Sequence, residues 1–225
     1  MNEFDQVNFA AVYKGNTLME SVSIKTVPWD VGHPQRVVQK TLANYPKGRL
    51  LDVGCGTGEN AEFASTEGFA VTAIDLSSDA IQTCRKRHRD SNVIFCQKNI
   101  FEIEDSWVDY FDTVLDSAVY HTIPSDDRLL YLKILAGYLH KGGRLLVITF
   151  AQTPNGMPKN LAVPKRQLVE NLKNAGFSDI SIDLGSYCGV YSSIEEFIQK
   201  YGLKINKNDA GESLLPVWVA SARKM

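Results

Sequence analysis

Hydrophobic and polar positions follow two different periods along the chain, and these periods predict strands alternating with helices. Short apolar runs bounded by turn residues predict strands at residues 49–53, 70–74, 93–96, 111–115, 144–150, 178–184 and 216–223. Amphipathic stretches between them predict helices at residues 59–67, 78–87, 126–139 and 165–174. Repeated strand–helix–strand units are typical of the α/β class. They predict a doubly wound, mostly parallel sheet with helices on both faces.

The last two predicted strands follow each other without a full crossover helix, which predicts an antiparallel hairpin at one edge of the sheet. A long insertion, residues 185–215, separates them and has a short helical pattern at 194–201. Long insertions of this kind are typical of either a functional lid or a disordered linker, and the sequence leaves both alternatives open. Residues 1–48 form an N-terminal extension that covers the ligands, ahead of a single domain at 49–225.

Composition and charge narrow the functional classes. The chain has 225 residues, a formal net charge of -2 and interspersed acids and bases, so nucleic acid is not an expected partner. We expect no membrane partner either, because no apolar run is long enough to span a bilayer and the N-terminus lacks a secretory pattern. Four scattered cysteines predict buried free thiols in the cytoplasm. The sequence does not indicate an oligomeric state.

A glycine-rich turn follows the first predicted strand, in the segment DVGCGTG at residues 52–58. Gly54, Gly56 and Gly58 let the backbone turn tightly and approach a ligand closely, which indicates a nucleotide-type site. The spacing is GxGxG, and the chain has no phosphate-binding GxxxxGK motif. Asp52 would repel a pyrophosphate but suits the ammonium group of a methionine moiety.

Two further segments extend this site. Asp75 ends the second strand, 21 positions after Gly54, where a carboxylate accepts both ribose hydroxyls. Asn99, just after the third strand, is a candidate for hydrogen bonding to adenine, with Ile100 against the ring; a plain surface turn is the alternative. The combination of glycine turn, strand-end acid and polar residue is far more specific than any one of them.

With these motifs the chain resembles the class I S-adenosylmethionine-dependent methyltransferases over about residues 45–225. The resemblance rests on residues 50–58, on Asp75 and Leu76 within AIDLS, and on the Gly142-Gly143 turn. It implies a Rossmann-like, seven-stranded sheet with a reversed last strand, and S-adenosyl-L-methionine as the cofactor. The family more often has Asp at the position of Asn99, which leaves the orientation of the amide open.

A narrower resemblance rests on residues 27–34, VPWDVGHP. The segment is similar to one in the thiopurine, thiol and halide methyltransferases and in small bacterial O-methyltransferases acting on quinols and phenols. This resemblance implies that Trp29 packs near the methionine end of the cofactor, where an aromatic face stabilises a sulfonium. A packing role for Trp29 is the alternative. His33 is a candidate substrate-binding residue in the same segment.

The region after the fourth strand, residues 112–121, bears on the methyl acceptor. It lacks the [DNS]PP[YF] motif typical of nucleobase amino methyltransferases, which disfavours a base or amide acceptor. His121 is the candidate catalytic residue, because a neutral imidazole takes a phenolic proton; a packed histidine is the alternative. Tyr120 is predicted either to line the substrate pocket or to join the core. Asp116 points to the cofactor's amino group or caps the following turn. No metal-ligand spacing is present.

These features favour a methyltransferase acting on a hydroxyl of a small phenol- or quinol-type molecule. Transfer to sulfur, selenium or halide is the alternative within the same chemistry. A third hypothesis is a binding protein or non-methylating catalyst that keeps the cofactor.

Overall fold

A mixed sheet forms the centre of the computed structural model, which describes residues 26–225. Its strands are β1 (Arg49–Val53), β2 (Ala70–Asp75), β3 (Ile94–Gln97), β4 (Phe111–Ser117), β5 (Leu139–Phe150), β6 (Phe177–Gly189), β7 (Asn206–Lys207) and β8 (Ser213–Lys224). The helices are α1 (Arg36–Leu42), α2 (Glu59–Thr66), α3 (Ser78–Arg87), α4 (Arg128–Tyr138), α5 (Lys165–Asn174) and α6 (Tyr191–Lys200). Residues 1–25, the first part of the predicted extension, lie outside the described residues.

The strand order is β3-β2-β1-β4-β5-β8-β6, and the two-residue β7 pairs with β8. β1 to β5 are parallel to one another, whereas β8 is antiparallel to both β5 and β6. The predicted Rossmann-like, mostly parallel fold is therefore confirmed. The last strand along the chain, β8, is the reversed one; it lies between β5 and β6, so the edge strand β6 is antiparallel to its neighbour and runs in the same direction as β5.

Helices cover both faces of the sheet because its central strands are apolar on both sides. Leu50 and Leu51 are adjacent in β1 and fully buried, yet they belong to different hydrophobic clusters. Leu51 packs in the cluster of α4 and α5, and Leu50 packs in the cluster of α1, α2 and α3. Successive side chains of a strand point to opposite faces, so a continuous apolar run predicts a strand buried on both sides.

The hairpin of β6 and β8 is longer than the sequence predicted. Its pairing continues to Gly189 opposite Ser213, so the insertion comprises residues 190–212 rather than 185–215. Gly185 and Ser186 interrupt the apolar pattern of β6, which is why the strand was predicted to end before them. A Cβ on Gly185 would lie 2.7 Å from Cγ2 of Val219, so glycine is required there by close strand packing.

The residues of the site lie at one edge of the sheet, where four parallel strands end. β1, β2, β4 and β5 are parallel, so their carboxyl ends lie side by side. The chain leaves β1 toward β2 and β3 on one side and returns to β4 on the other. This reversal opens a crevice between the loops after β1 and β4, where ligands bind in open α/β sheets.

Candidate active site

The glycine turn after β1 lies in the wall of a large cavity at this edge. Gly54 and Gly56 have φ values of 67° and 58°, and both line the cavity. A Cβ on Gly54 would stand 2.2 Å from Cγ2 of Val119. Gly58 (φ 93°) does not line the cavity; it precedes α2 and packs beneath Cys84, His88 and Phe95, so its requirement for glycine is structural.

Asp75 lines the cavity and braces the glycine turn. Its Oδ2 accepts a hydrogen bond from the backbone N–H of Gly56 at 3.0 Å, and its Oδ1 accepts one from the N–H of Ser77 at 2.8 Å. Burial raises the pKa of Asp75, and these two hydrogen bonds oppose the rise. The carboxylate therefore fixes the turn and presents its edge to the cavity.

Asp52 and Asp116 lie near the ends of the neighbouring strands β1 and β4, where Asp52 is opposite Leu115 and Asp116 is opposite Val53, and neither acid lines the cavity. Both oxygens of Asp52 are buried without a hydrogen-bond partner in the part of the chain that the structure describes. Burial, with the nearby charges of Asp116 and Asp75, raises the pKa of Asp52 to about 8. Asp116 accepts hydrogen bonds from the N–H groups of Val119 and Tyr120. It therefore caps the following turn, which is one of the two roles predicted for this residue.

The predicted adenine side is present as a short turn after β3. Asn99, Ile100 and Leu76 all line the cavity. The Oδ1 of Asn99 accepts a hydrogen bond from the N–H of Phe101 at 3.1 Å, which holds Ile100 in the wall. Leu76 is 64% exposed, an unusual state for a leucine that a flat apolar ligand would relieve.

Residues 26–35 and 190–212 form a cover over the cavity, and we use this name for the two segments together. The N–H of Val190 donates to the carbonyl of Pro28 at 2.8 Å. The side chain of Gln35 exchanges two hydrogen bonds with the backbone of Cys188, at 2.8 and 2.9 Å. Trp29 and His33 both line the cavity from this cover.

Asp30 of the same segment anchors the cover to the glycine turn. Arg87 donates to both carboxylate oxygens of Asp30 at 2.8 Å, and it also pairs with Glu59. Thr57, in the glycine turn, donates to Glu59 at 2.5 Å and lies 3.4 Å from Asp30. The PWD segment is thus held by its aspartate, while its tryptophan faces the cavity.

His121 lies in the wall on the other side, after β4. The residue is 8% exposed, and its ring packs against that of Phe150 at an interplanar angle of 32°, with centroids 4.1 Å apart. Its Nδ1 is buried with no hydrogen-bond partner among the described residues. Burial, and to a lesser degree the charge of Arg128, lowers the pKa of His121 to about 3. The imidazole is therefore neutral across the physiological pH range.

Tyr120, the neighbouring candidate, lies in the core and not in the cavity wall. Its side chain is fully buried, and its hydroxyl accepts a hydrogen bond from Asn171 at 2.9 Å. The core alternative stated for this residue is the one that the geometry favours. Tyr120 lies in the core and His121 in the cavity wall because successive side chains of the helical turn at residues 120–122 point to different sides.

Several cavity residues were not among the sequence candidates. They include Thr57, Asn60, Ser117, Arg128, Phe150 and Tyr187. Arg128 could have been found: a cation in the first turn of a helix opposes the positive end of the helix dipole and calls for a reason. Asn60 joins Gln35 to Ser117 through two hydrogen bonds, and no local pattern signals such a link.

The cavity has a volume of about 1160 Å³. A pocket for one drug-sized ligand measures roughly 300–1,000 Å³, so there is room for a cofactor and an acceptor together. The side near β1 and β2 carries the glycine turn and Asp75. Aromatic and aliphatic side chains dominate the rest of the wall: Trp29, Phe101, Ile123, Phe150, Met157, Leu161, Ile194, Phe197 and Leu215.

Comparison with known proteins bears on this site directly. A family model described as a methyltransferase domain matches residues 45–197, more than half of the chain. The chain belongs to the class I S-adenosylmethionine-dependent methyltransferases. Among solved structures, that of the conversion of a disulfide bond into a thioacetal group during echinomycin biosynthesis is similar, with a TM-score of 0.74 and 26% identity. It covers 96% of this chain and 91% of that one.

Individual relatives of this methyltransferase differ in their named acceptors. The ubiquinone biosynthesis O-methyltransferase of Xanthomonas campestris pv. campestris is 30% identical over 56% of this chain and 57% of its own length. The 2-heptyl-1-hydroxyquinolin-4(1H)-one methyltransferase of Mycobacteroides abscessus is 24% identical over 67% and 66%. The probable thiol methyltransferase 2 of Arabidopsis thaliana is 26% identical over 69% and 70%.

The residues of the methyltransferase fit its cofactor. The unpartnered carboxylate of Asp52 lies beneath a turn in which Gly54 leaves no room for a side chain.

Within residues 26–225 no group of three or more His, Cys, Asp or Glu side chains is arranged to hold a metal ion. Nor does that part of the chain contain a helix long and apolar enough to cross a membrane.

Proposed function

We propose that this methyltransferase transfers the methyl group of S-adenosylmethionine to a hydroxyl group of a small phenol- or quinol-type molecule. The observation that carries the proposal is the lining of the cavity on the side away from the glycine turn. Aromatic and aliphatic side chains form this part of the wall, and His121 is a neutral hydrogen-bonding group within it. A planar aromatic acceptor with one polar group matches such a lining.

Residues of the β1 and β2 side would hold the cofactor. Asp75 would accept the ribose hydroxyls, while Leu76, Asn99 and Ile100 would surround the adenine. Asp52 would balance the charge of the methionine ammonium through the glycine turn above it, and Trp29 would face the sulfonium. When bound, the cofactor supplies an activated methyl group whose leaving group already carries positive charge.

The protein then aligns the acceptor for in-line displacement and excludes water. We propose that His121 orients the acceptor hydroxyl through a hydrogen bond. With a pKa of about 3, it does not retain a proton taken from a phenol, whose pKa is about 10. Its position on Phe150 fixes the ring, so a bound hydroxyl meets a group that is already oriented. The cover would act as the lid that closes this space.

Two named relatives support an oxygen acceptor. One is an O-methyltransferase of ubiquinone biosynthesis, and the other methylates a hydroxyquinolinone. The hydroxyquinolinone is a planar aromatic molecule and matches the aromatic lining. We keep small-molecule methylation in the cytoplasm as the expected setting, without nucleic acid or membrane as partners.

Transfer to sulfur is the second candidate function. It is favoured by the similarity to a probable thiol methyltransferase and to the protein of the disulfide-to-thioacetal conversion. A thiolate needs no hydrogen bond from His121 to become nucleophilic, so the two candidates predict different responses to its removal.

The experiment measures S-adenosylhomocysteine formation from labelled cofactor with hydroxyaromatic, thiol and iodide acceptors. We expect turnover of hydroxyaromatic compounds, reduced roughly 10- to 100-fold in His121→Ala because the hydroxyl loses its orientation. His140→Ala is the matched control, since His140 lies outside the cavity wall. Turnover of thiols alone, unchanged in His121→Ala, would establish the sulfur candidate. Binding of cofactor without any product would support the non-methylating alternative.

A further inference from the structure

Arg128 is a buried cation in the cavity wall, and within residues 26–225 it has no negatively charged partner. It is the first residue of α4 and only 7% exposed. Its Nε donates to the carbonyl of Ile123 at 3.0 Å, and its two terminal nitrogens donate to Gln167 and to the carbonyl of His121, both at 3.3 Å. All three acceptors are neutral, and no carboxylate of residues 26–225 forms an ion pair with Arg128.

This arrangement is unfavourable unless a ligand completes it. A buried charge is strongly destabilising when it is unpaired, and about two of the five guanidinium N–H groups have no acceptor in the described residues. The helix N-terminus adds to the positive potential. Burial accordingly lowers the pKa of Arg128. An anion in the cavity would pair with the guanidinium, accept hydrogen bonds from its free N–H groups and balance the positive potential of the helix N-terminus.

Besides Arg128, the cavity wall contains the cations Lys98, which pairs with Glu104, and Lys159. Its carboxylates within the described residues are Asp75 and Glu59, and both belong to the side of the glycine turn. Glu59 is already paired with Arg87. The groups facing Arg128 from other elements are neutral: His121, Gln167 and the ring of Tyr120, whose centroid lies 5.3 Å from the guanidinium carbon.

We infer that the acceptor is bound as an anion: an acidic hydroxyaromatic molecule whose ionised oxygen lies against Arg128 and His121. This inference rests on the proposed function and specifies its substrate class. Arg128 would be the residue that selects the ionised acceptor. His121 would orient the same oxygen.

The step is balanced without a protein base. The acceptor hydroxyl releases its proton to water as the oxygen binds beside the guanidinium, which favours the ionised form. A lone pair of that oxygen forms the C–O bond while the C–S bond breaks and its electron pair returns to sulfur. An anion and a sulfonium cation thereby give two neutral products at the reacting atoms. Burial is the main cause of the lowered pKa of His121, and the charge of Arg128, which also favours the bound anion, lowers it further.

The first test uses the wild-type protein and needs no variant. The pH dependence of kcat/KM is measured for 4-nitrophenol, 4-cyanophenol, 4-chlorophenol and phenol, which differ in acidity. We expect kcat/KM to rise with pH around the pKa of each acceptor, because the ionised form is the one that binds. A rise at one fixed pH for all four acceptors would indicate a titrating protein base and overturn the inference.

The second test compares Arg128→Gln with Arg128→Lys. We expect Arg128→Gln to lower kcat/KM for 4-nitrophenol about 10- to 100-fold, the usual effect of losing a charged hydrogen bond, and Arg128→Lys to recover part of it. Affinity for S-adenosylmethionine should stay unchanged. Arg166→Gln is the matched control, because Arg166 is exposed on α5 and outside the cavity.

The outcomes separate this inference from the proposed function. If cofactor binds but no hydroxyl acceptor yields S-adenosylhomocysteine, the proposed function fails. If hydroxyl acceptors react but Arg128→Gln behaves like Arg166→Gln, only the anion inference fails. If Arg128→Gln does not fold, as judged by its thermal melting, the wild-type acidity series decides alone.

Discussion

His33 and Glu212 are 179 positions apart in sequence, yet Nε2 of the histidine lies 2.6 Å from Oε1 of the glutamate. The pair joins the two segments of the cover. A backbone hydrogen bond to Pro34, together with Glu212, raises the pKa of His33 against the opposing effect of burial. Hydrogen bonds from His33 and Asn208 lower the pKa of Glu212, although burial opposes this.

Replacing this pair should change stability in a pH-dependent way. His33 has a raised pKa, so its contribution is complete below 6.5, its ordinary value, and is lost as the pH rises through the raised value. The contribution also requires ionised Glu212 and is lost on acidification through the lowered pKa of that group. The histidine is 40% exposed, so we expect only about 0.5 kcal/mol.

Urea unfolding of wild type, His33→Ala and Glu212→Gln at about pH 6 and pH 8.5 checks this, because these values lie on either side of the histidine titration. The difference between wild type and either variant should shrink at the higher pH. Lys47→Gln, which breaks the exposed pair with Glu67, provides the comparison and should show no such change between these two pH values. A difference that grows with pH would contradict the assigned role.

Asp52 should make the protein less stable as the pH rises. Its pKa is about 8 against an ordinary 3.8, so the folded protein binds the proton more tightly than the unfolded chain. Folding is therefore favoured at low pH, and stability declines between these two values. Asp116 contributes in the same direction up to its own pKa of about 6.

Asp52→Asn should remove the larger part of this decline, so its melting temperature should exceed that of wild type more at pH 8 than at pH 5. Cofactor binding should release a proton from wild type near neutral pH, because the bound ammonium favours the ionised carboxylate. Calorimetry in buffers of different ionisation enthalpy measures that proton. Equal proton release by Asp52→Asn would show that another group titrates.

Gly54→Ala should destabilise the protein and abolish cofactor binding. A left-handed conformation costs an alanine about 1–2 kcal/mol, and the contact of 2.2 Å with Val119 adds roughly 1–3 kcal/mol. Gly68→Ala is the matched control: its φ is 94°, but no atom lies within 4 Å of the added carbon. Denaturant unfolding should give the smaller cost for Gly68→Ala. The double variant Gly54→Ala, Val119→Ala should recover the steric part alone.

Tyr131→Phe should cost about 1–3 kcal/mol, because it removes a hydrogen bond of 2.7 Å to the buried carboxylate of Asp116. The cost should grow as the pH rises through about 6, where Asp116 ionises. Tyr138→Phe removes a hydroxyl that accepts from the backbone of Glu104 and should show a loss independent of pH in this range. Parallel pH profiles for both variants would refute the specific role of Tyr131.

The sequence predicts those parts of the fold and site that depend on local patterns. Strand periodicity, the glycine turn and the position of Asp75 all follow from neighbouring residues, and the structure brings them to one sheet edge. Asn99 and Ile100 follow in the same way.

Parts that depend on distant contacts were not predictable. Gln35 pairs with the backbone of Cys188, 153 positions away, and nothing near either residue signals that pairing. The side-chain direction of Tyr120 depends on Asn171, in α5. Arg128 is locally conspicuous as a cation in the first turn of a helix, but its burial in the cavity wall is visible only once the loops on both sides are placed.

The cover has a consequence for biosynthesis. Its two segments come from opposite ends of the chain, joined by the contacts of Pro28 with Val190 and of His33 with Glu212. While a ribosome is still producing β6, the glycine turn and the first segment of the cover have been synthesised, but the second segment has not. Ligand retention therefore arises last during synthesis, and a truncation before residue 190 removes both the second segment of the cover and β8, the strand that lies between β5 and β6.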